Sequence, residues 1–143
     1  MTVQGANPER PARAVLLRHV LPDGSEHFDW LFERATGSGL LAFRVNERLD
    51  LGDTASLLAE RIADHRAEYL TYEGPVSGDR GHVKRLAAGR SILRVEADRV
   101  LTVDQDWGQG WWRWTGEPAS QGAIWRFLST RLGWQDDAGA GML

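Results

Sequence analysis

The sequence predicts a mainly β protein, a compact antiparallel β-barrel of about eight strands with one or two short helices. Two observations carry this. Short apolar or alternating runs follow one another along the chain, separated by clusters rich in Gly, Pro, Asp and Ser. Helical periodicity is scarce, while 16 glycines favour turns and strands. Short strands at regular spacing bury their apolar faces well by closing on one another. A chain of 143 residues with no internal repeat and no linker suits one domain. That domain is assigned to residues 14–134, between a flexible N-terminal segment at 1–13 and a loose C-terminal tail at 135–143.

Ala14 to Val20 and His27 to Arg34 read as the first two strands, with Pro22-Asp23-Gly24 as the turn between them. The cluster Ala35 to Gly39 is a second turn, and Leu40 to Val45 a third strand, which completes a meander. Asn46 to Asp53 is a loop. Thr54 to Ile62 has Leu57, Leu58 and Ile62 at helical spacing, with Asp53 or Thr54 as cap, and is expected to be a short helix. Ala67 to Glu73 is expected as a strand ending at Gly74-Pro75, followed by a loop to Gly81. His82 to Leu86, Ser91 to Glu96 and Arg99 to Val103 read as three strands. Trp111 to Thr115 and Ala123 to Ser129 are the last two, although Ile124, Phe127, Leu128 and Leu132 also fit a helix.

The chemistry concentrates in the first hairpin. If Asp23 is the middle of a three-residue loop, Leu21 faces Ser25 and His19 faces His27. Directly opposed residues share a sheet face, with Cβ atoms about 4.5–5.5 Å apart. Asp29 lies two residues beyond His27 and points the same way. Two imidazoles and a carboxylate then converge as a three-ligand site for a divalent metal, leaving room for water or substrate. The same pattern serves a half-buried strand with one aromatic and one polar face, so a purely structural reading stands beside the metal one. Glu33 shares the face of Asp29 and is a candidate partner orienting a ligand histidine, or an exposed strand carboxylate.

The formal net charge of −3 argues against a protein that coats nucleic acid through its overall field. One basic cluster, Arg80, His82, Lys84 and Arg85, is a candidate nucleic-acid contact, or a charged strand edge that deters pairing. Among the seven tryptophans, Trp107, Trp111, Trp112 and Trp114 are candidates to stack bases, with Trp112 expected in the core and Trp111 and Trp114 as an exposed pair. The chain has no cysteine, which excludes disulfides and thiolate metal sites. No apolar run approaches the length of a membrane span, and the start lacks a signal-peptide core, so a cytoplasmic monomer is the expectation.

His27-Phe28-Asp29-Trp30-Leu31-Phe32-Glu33 resembles the His-Tyr-Asp-Phe-Arg-Leu-Glu signature of the 3′-phosphoesterase domain of bacterial DNA ligase D. Arg18-His19 resembles the strand end that carries the family's first metal-binding histidine. Asp64-His65-Arg66-Ala67-Glu68-Tyr69 and Tyr72-Glu73-Gly74 resemble its Asp-His-Pro-Leu-Asp-Tyr and Phe-Glu-Gly, and the order agrees across residues 14–96. The resemblance is to the stand-alone short homologues more than to the ligase-fused domains. It implies a β-barrel that uses manganese, with zinc as the alternative metal, to remove 3′ phosphates and 3′ ribonucleotides from nucleic-acid ends during strand-break repair. It implies His19, His27 and Asp29 as metal ligands, His65 as the residue meeting the scissile phosphate, and Tyr69 as its support. It implies nucleic-acid 3′ ends as partners, together with a separate ligase or end-joining protein.

The chain departs from the family's pattern at four places, one being that the family's acidic and basic N-terminal arm has no clear match in Met1 to Arg13. The hairpin between His19 and His27 is two residues longer than in the ligase-fused motif. Leu31 stands where the signature carries an arginine, and Leu57 where the family carries a basic residue upstream of its central histidine. Arginine suits a phosphate because it offers donors in a fixed fork, and leucine offers none. A binding module on the same barrel, with catalysis weakened or lost, is therefore the second functional reading.

Overall fold

The computed structural model describes residues 11–34, 39–96, 100–119 and 123–133. Most of the N-terminal segment, most of the predicted turn at 35–39 and the C-terminal tail lie outside them. The strands are β1 (Ala12–Val20), β2 (Glu26–Phe32), β3 (Gly39–Val45), β4 (Ser56–Arg66), β5 (Gly74–Pro75), β6 (His82–Glu96), β7 (Val100–Asp106), β8 (Trp111–Pro118) and β9 (Ile124–Gly133). One 3-10 turn, Ala67–Leu70, is the sole helical element among the described residues. Every pairing is antiparallel, in the order β1-β2-β3-β4-β9-β8-β7-β6-β5, and β1 also pairs with β6. The β1–β6 seam closes the sheet into a barrel-like ring. Closure satisfies edges that would otherwise expose backbone donors and acceptors.

Strand alternation divides the apolar residues into two clusters. Inside the ring, Leu16, Trp30, Phe32, Phe43, Val45, Leu57, Val103, Trp114 and Phe127 pack together. Their rings meet edge-on, as Trp30 does with Phe127 at 5.6 Å and Phe43 with Phe127 at 5.4 Å between centroids. The opposite face of β1–β3 carries the second cluster, Val15, Leu17, Leu31, Leu40 and Ala42, covered by Leu70, Val76 and Val83. One sheet region thus has apolar residues on both faces, and its outer face is roofed by the segment between β4 and β6.

Several sequence expectations are corrected. The helix predicted at Thr54 to Ile62 is strand β4. Its burial has a period of two: Leu57 and Ala59 point into the ring while Leu58 is exposed. Backbone pairing to β3 on one side and β9 on the other outweighs the weak helical spacing. The strand expected at Ala67 to Glu73 is the 3-10 turn. The two strands expected at His82 to Leu86 and Ser91 to Glu96 are one strand, β6. Gly89 interrupts nothing there; it lets Asp106 approach, since a Cβ at this position would lie 2.1 Å from the Asp106 carbonyl oxygen. The helical alternative for the C-terminal segment is not realised, because β9 pairs with both β4 and β8. Trp111 and Trp114 are not an exposed pair. Trp114 lies in the ring interior, and Trp111 is buried with the Arg90 guanidinium 5.3 Å from its ring.

Candidate metal centre

The hairpin turn sets the register of β1 and β2. Leu21 N–H donates to Ser25 O, and Gly24 N–H to Leu21 O, both at 2.8 Å. Asp23 Oδ1 accepts from Ser25 N–H at 2.9 Å and from its hydroxyl at 2.6 Å, which closes the three-residue loop and holds the Asp23 carboxyl below the usual range. Gly24 supplies the left-handed conformation at φ 90°. His19 is then the cross-strand partner of His27, and Leu17 of Asp29.

The three side chains converge as the register predicts. One ligating atom each from His19, His27 and Asp29 falls within 4.8 Å of the others. The imidazole rings meet edge to face, 4.8 Å between centroids. Asp29 is 2% exposed, with Oδ1 3.4 Å from His27 Nε2 and Oδ2 3.9 Å from His19 Nδ1. His19 Nε2–H donates to the carbonyl of Arg80 at 2.7 Å. A carbonyl can only accept, so this bond places the ring proton on Nε2 and turns the Nδ1 lone pair toward Asp29. Gly81 makes that contact possible. Its φ is 89°, and a Cβ there would lie 1.9 Å from Val20 O.

His65 joins from β4. It pairs with Leu40, while Ile62 pairs with Ala42, so β4 carries one extra residue between the two pairs. That bulge rotates His65 onto the face of Ile62; in a regular strand residues 62 and 65 would point oppositely. His65 Nε2 lies 3.7 Å from Asp29 Oδ2, and Nδ1–H donates to Ala63 O at 3.1 Å. The Tyr69 ring stands edge-on 5.6 Å from the imidazole.

Charge separates the histidines. Interaction with Asp29, aided by the Ala63 carbonyl and opposed by burial, raises the pKa of His65. Burial lowers that of His27, more than Asp29 raises it, and Arg44 and the neighbouring imidazoles lower it further. Burial and charge thus push the two imidazoles in opposite directions.

His19, Asp29, Arg44, His65, Tyr69 and Arg80 wall a cleft of about 670 Å³, while His27 lines a second pocket that shares Arg44. Arg44 escaped the sequence analysis. It is the β3 partner of Asp29, on the face opposite Phe43 and Val45. Alternation of β3 could have placed it on that face, but not opposite Asp29, because the intervening turn has no register-setting chemistry of its own.

The remaining candidates divide. Both Glu33 carboxylate oxygens are taken by Arg13, from its backbone N–H at 3.0 Å and its guanidinium at 3.1 Å. Glu33 thus ties down the start of β1 rather than orienting a histidine. Of the basic cluster, Arg80 lines the cleft. His82 and Lys84 flank Val83, which faces the second apolar cluster, so they point to the other side of β6. Arg85 donates to the Leu70 carbonyl at 2.9 Å and pins the roof segment. Leu31 is wholly buried in the second cluster and Leu57 in the ring interior. Neither leucine faces the cleft as an open seat for a phosphate-binding side chain.

No protein-family model matches the chain, and no curated protein matches it in sequence. No helix among the described residues is long and apolar enough to cross a membrane.

Proposed function

We propose that this protein is a divalent-metal-dependent phosphoesterase acting on nucleic-acid 3′ ends, removing 3′ phosphates or 3′ ribonucleotides. The observation that carries the reading is the convergence of His19, His27 and Asp29, with His65 beside Asp29 and the cleft opening over His19, Asp29 and His65. The donors suit a cation. His27 Nε2 and Asp29 Oδ1 are buried with no hydrogen-bond partner, a costly arrangement that a bound ion would relieve. Two imidazoles and a carboxylate fit manganese or zinc. His19, His27 and Asp29 would hold the metal, which when bound supplies polarisation of a phosphoryl oxygen and orientation of a nucleophile.

The chain's own residues supply the rest. The Arg80 carbonyl fixes the tautomer of His19. Protonated His65 donates toward charge developing on the phosphate, with its Nδ1–H held by Ala63 O. Tyr69 packs against that ring and restricts its rotation. Hydrolysis that releases a terminal nucleoside would leave a 3′ phosphate, and hydrolysis of that phosphate would leave a 3′ hydroxyl, the end that a separate ligase or end-joining protein requires.

The test is release of phosphate or nucleoside from a primer-template ending in a 3′ phosphate or a ribonucleotide, with and without manganese. Metal-dependent release that disappears in His27→Ala supports the reading; release that is metal-independent, or equal in His27→Ala, contradicts it. The burial of Leu31 favours a second reading, a module that binds such ends without cleaving them. End binding by the metal-loaded protein with no release would support that alternative.

A further inference from the structure

We infer that Arg44 is the cation that grips the phosphate in this cleft, taking from β3 the role that the buried Leu31 cannot fill on β2. The inference rests on the phosphoesterase reading and names a binding residue for it.

The outward row of β3 is Leu40, Ala42 and Arg44. Leu40 and Ala42 belong to the second apolar cluster, and Arg44 is where the row turns polar. Its Cα partner is Asp29, so the side chain starts beside the carboxylate of the metal centre. Arg44 also borders two cavities at once. One is the 670 Å³ cleft with His19, Asp29 and His65; the other is a 400 Å³ pocket with His27, Phe28 and Leu58. A chain end seated over the centre would pass this side chain whichever pocket took the terminal group.

Of the other cations at the cleft, Arg80 is more fully engaged, donating to Ser77 O at 2.7 Å and to the Ser77 hydroxyl at 3.3 Å. Arg66 pairs with Glu68 at 3.2 Å and sits opposite Gly39, at the other end of β3 from Arg44. Arg44 has Glu60 at 3.9 Å, with both side chains nearly half exposed. Such a pair contributes little and gives way easily. A guanidinium held this loosely can present two parallel N–H donors to a phosphate, the geometry that makes arginine effective on such groups.

The experiment uses the full chain loaded with manganese and two readouts. Calorimetry measures binding of inorganic phosphate, and steady-state kinetics measure release from an oligonucleotide with a 3′ phosphate. Arg44→Ala is compared with Arg44→Lys and with Arg126→Ala, which removes the same charge from the exposed surface of β9. Arg44→Ala should weaken phosphate binding and kcat/KM by about ten- to a hundredfold, the loss of a charged hydrogen-bond partner. Manganese affinity should not fall, Arg44→Lys should restore part of the phosphate binding, and Arg126→Ala should match wild type. Phosphate binding and turnover unaltered in Arg44→Ala overturn the inference and leave the phosphoesterase reading standing. Phosphate binding that depends on Arg44, in a protein that cleaves neither kind of end, supports the inference and removes the reading. Wild type that binds manganese but neither binds phosphate nor cleaves overturns both.

Discussion

Asp29 is the residue on which the site turns. It is buried, faces three imidazoles, and has a carboxylate oxygen without a hydrogen-bond partner. Asp29→Asn keeps the shape and removes the charge, so metal affinity should fall at least tenfold, as loss of an anionic ligand predicts. Equilibrium dialysis checks this. His65 does not share the three-ligand set, so His65→Ala should leave metal binding intact and lower turnover, while an unchanged rate counts against its proposed role. Leu31 shows where sequence comparison and structure part. An arginine there, as in the signature that this strand resembles, is expected to raise activity only if the site can accept it. Leu31 instead packs in full burial among Val15, Leu17 and Leu40. Leu31→Arg would bury an unpaired guanidinium and should destabilise the fold by about 3 kcal/mol or more, read from urea denaturation. A Leu31→Arg protein as stable as wild type would show that this cluster opens to the cleft.

At the scale of elements, the hairpin was legible and the approach of β4 was not. The loop Pro22-Asp23-Gly24 carries its turn chemistry in three residues, so cross-strand partners could be counted and the meeting of His19, His27 and Asp29 followed. His65 reaches the same place through a bulge in a strand whose apolar spacing imitates a helix, and a bulge has no comparable sequence signal. Arg44 was missed for a related reason, since the sequence between β2 and β3 has no short turn signature from which its partner Asp29 could be counted. The segment before β6 contributes a backbone carbonyl, which no side-chain pattern reports. It can be tested at Gly81, whose conformation brings Arg80 O to His19. Gly81→Ala collides with Val20 and should lower metal affinity about 10–100-fold by releasing His19, as loss of a partner orienting a ligand does. Calorimetry measures the affinity, and circular dichroism confirms that the sheet persists.

At the scale of the molecule, a buried carboxylate ties three strands of the ring together. On β7, Asp104 accepts from Arg113 at 2.8 and 3.0 Å and from Arg94 at 3.0 Å, tying β6, β7 and β8 together. Burial pushes the Asp104 carboxyl up, but these bonds overcome it and hold the pKa below its ordinary value. A depressed carboxylate stabilises the fold above its unfolded pKa, and that contribution is lost as pH falls through the folded value. Asp104→Asn should therefore cost about 1.5–3 kcal/mol near neutral pH. The difference from wild type should shrink as the pH is taken below the ordinary carboxylate range, which urea unfolding across pH will show. The central claim is that this barrel carries one functional metal centre on its first hairpin. Titration calorimetry of the purified chain with manganese, beside His27→Ala, tests it most directly. The account predicts about one ion bound per chain near neutral pH, weakening in acid as the imidazoles protonate, and lost in His27→Ala while the fold remains. A folded wild type that binds no manganese or zinc, or a His27→Ala protein that binds as tightly, would contradict it.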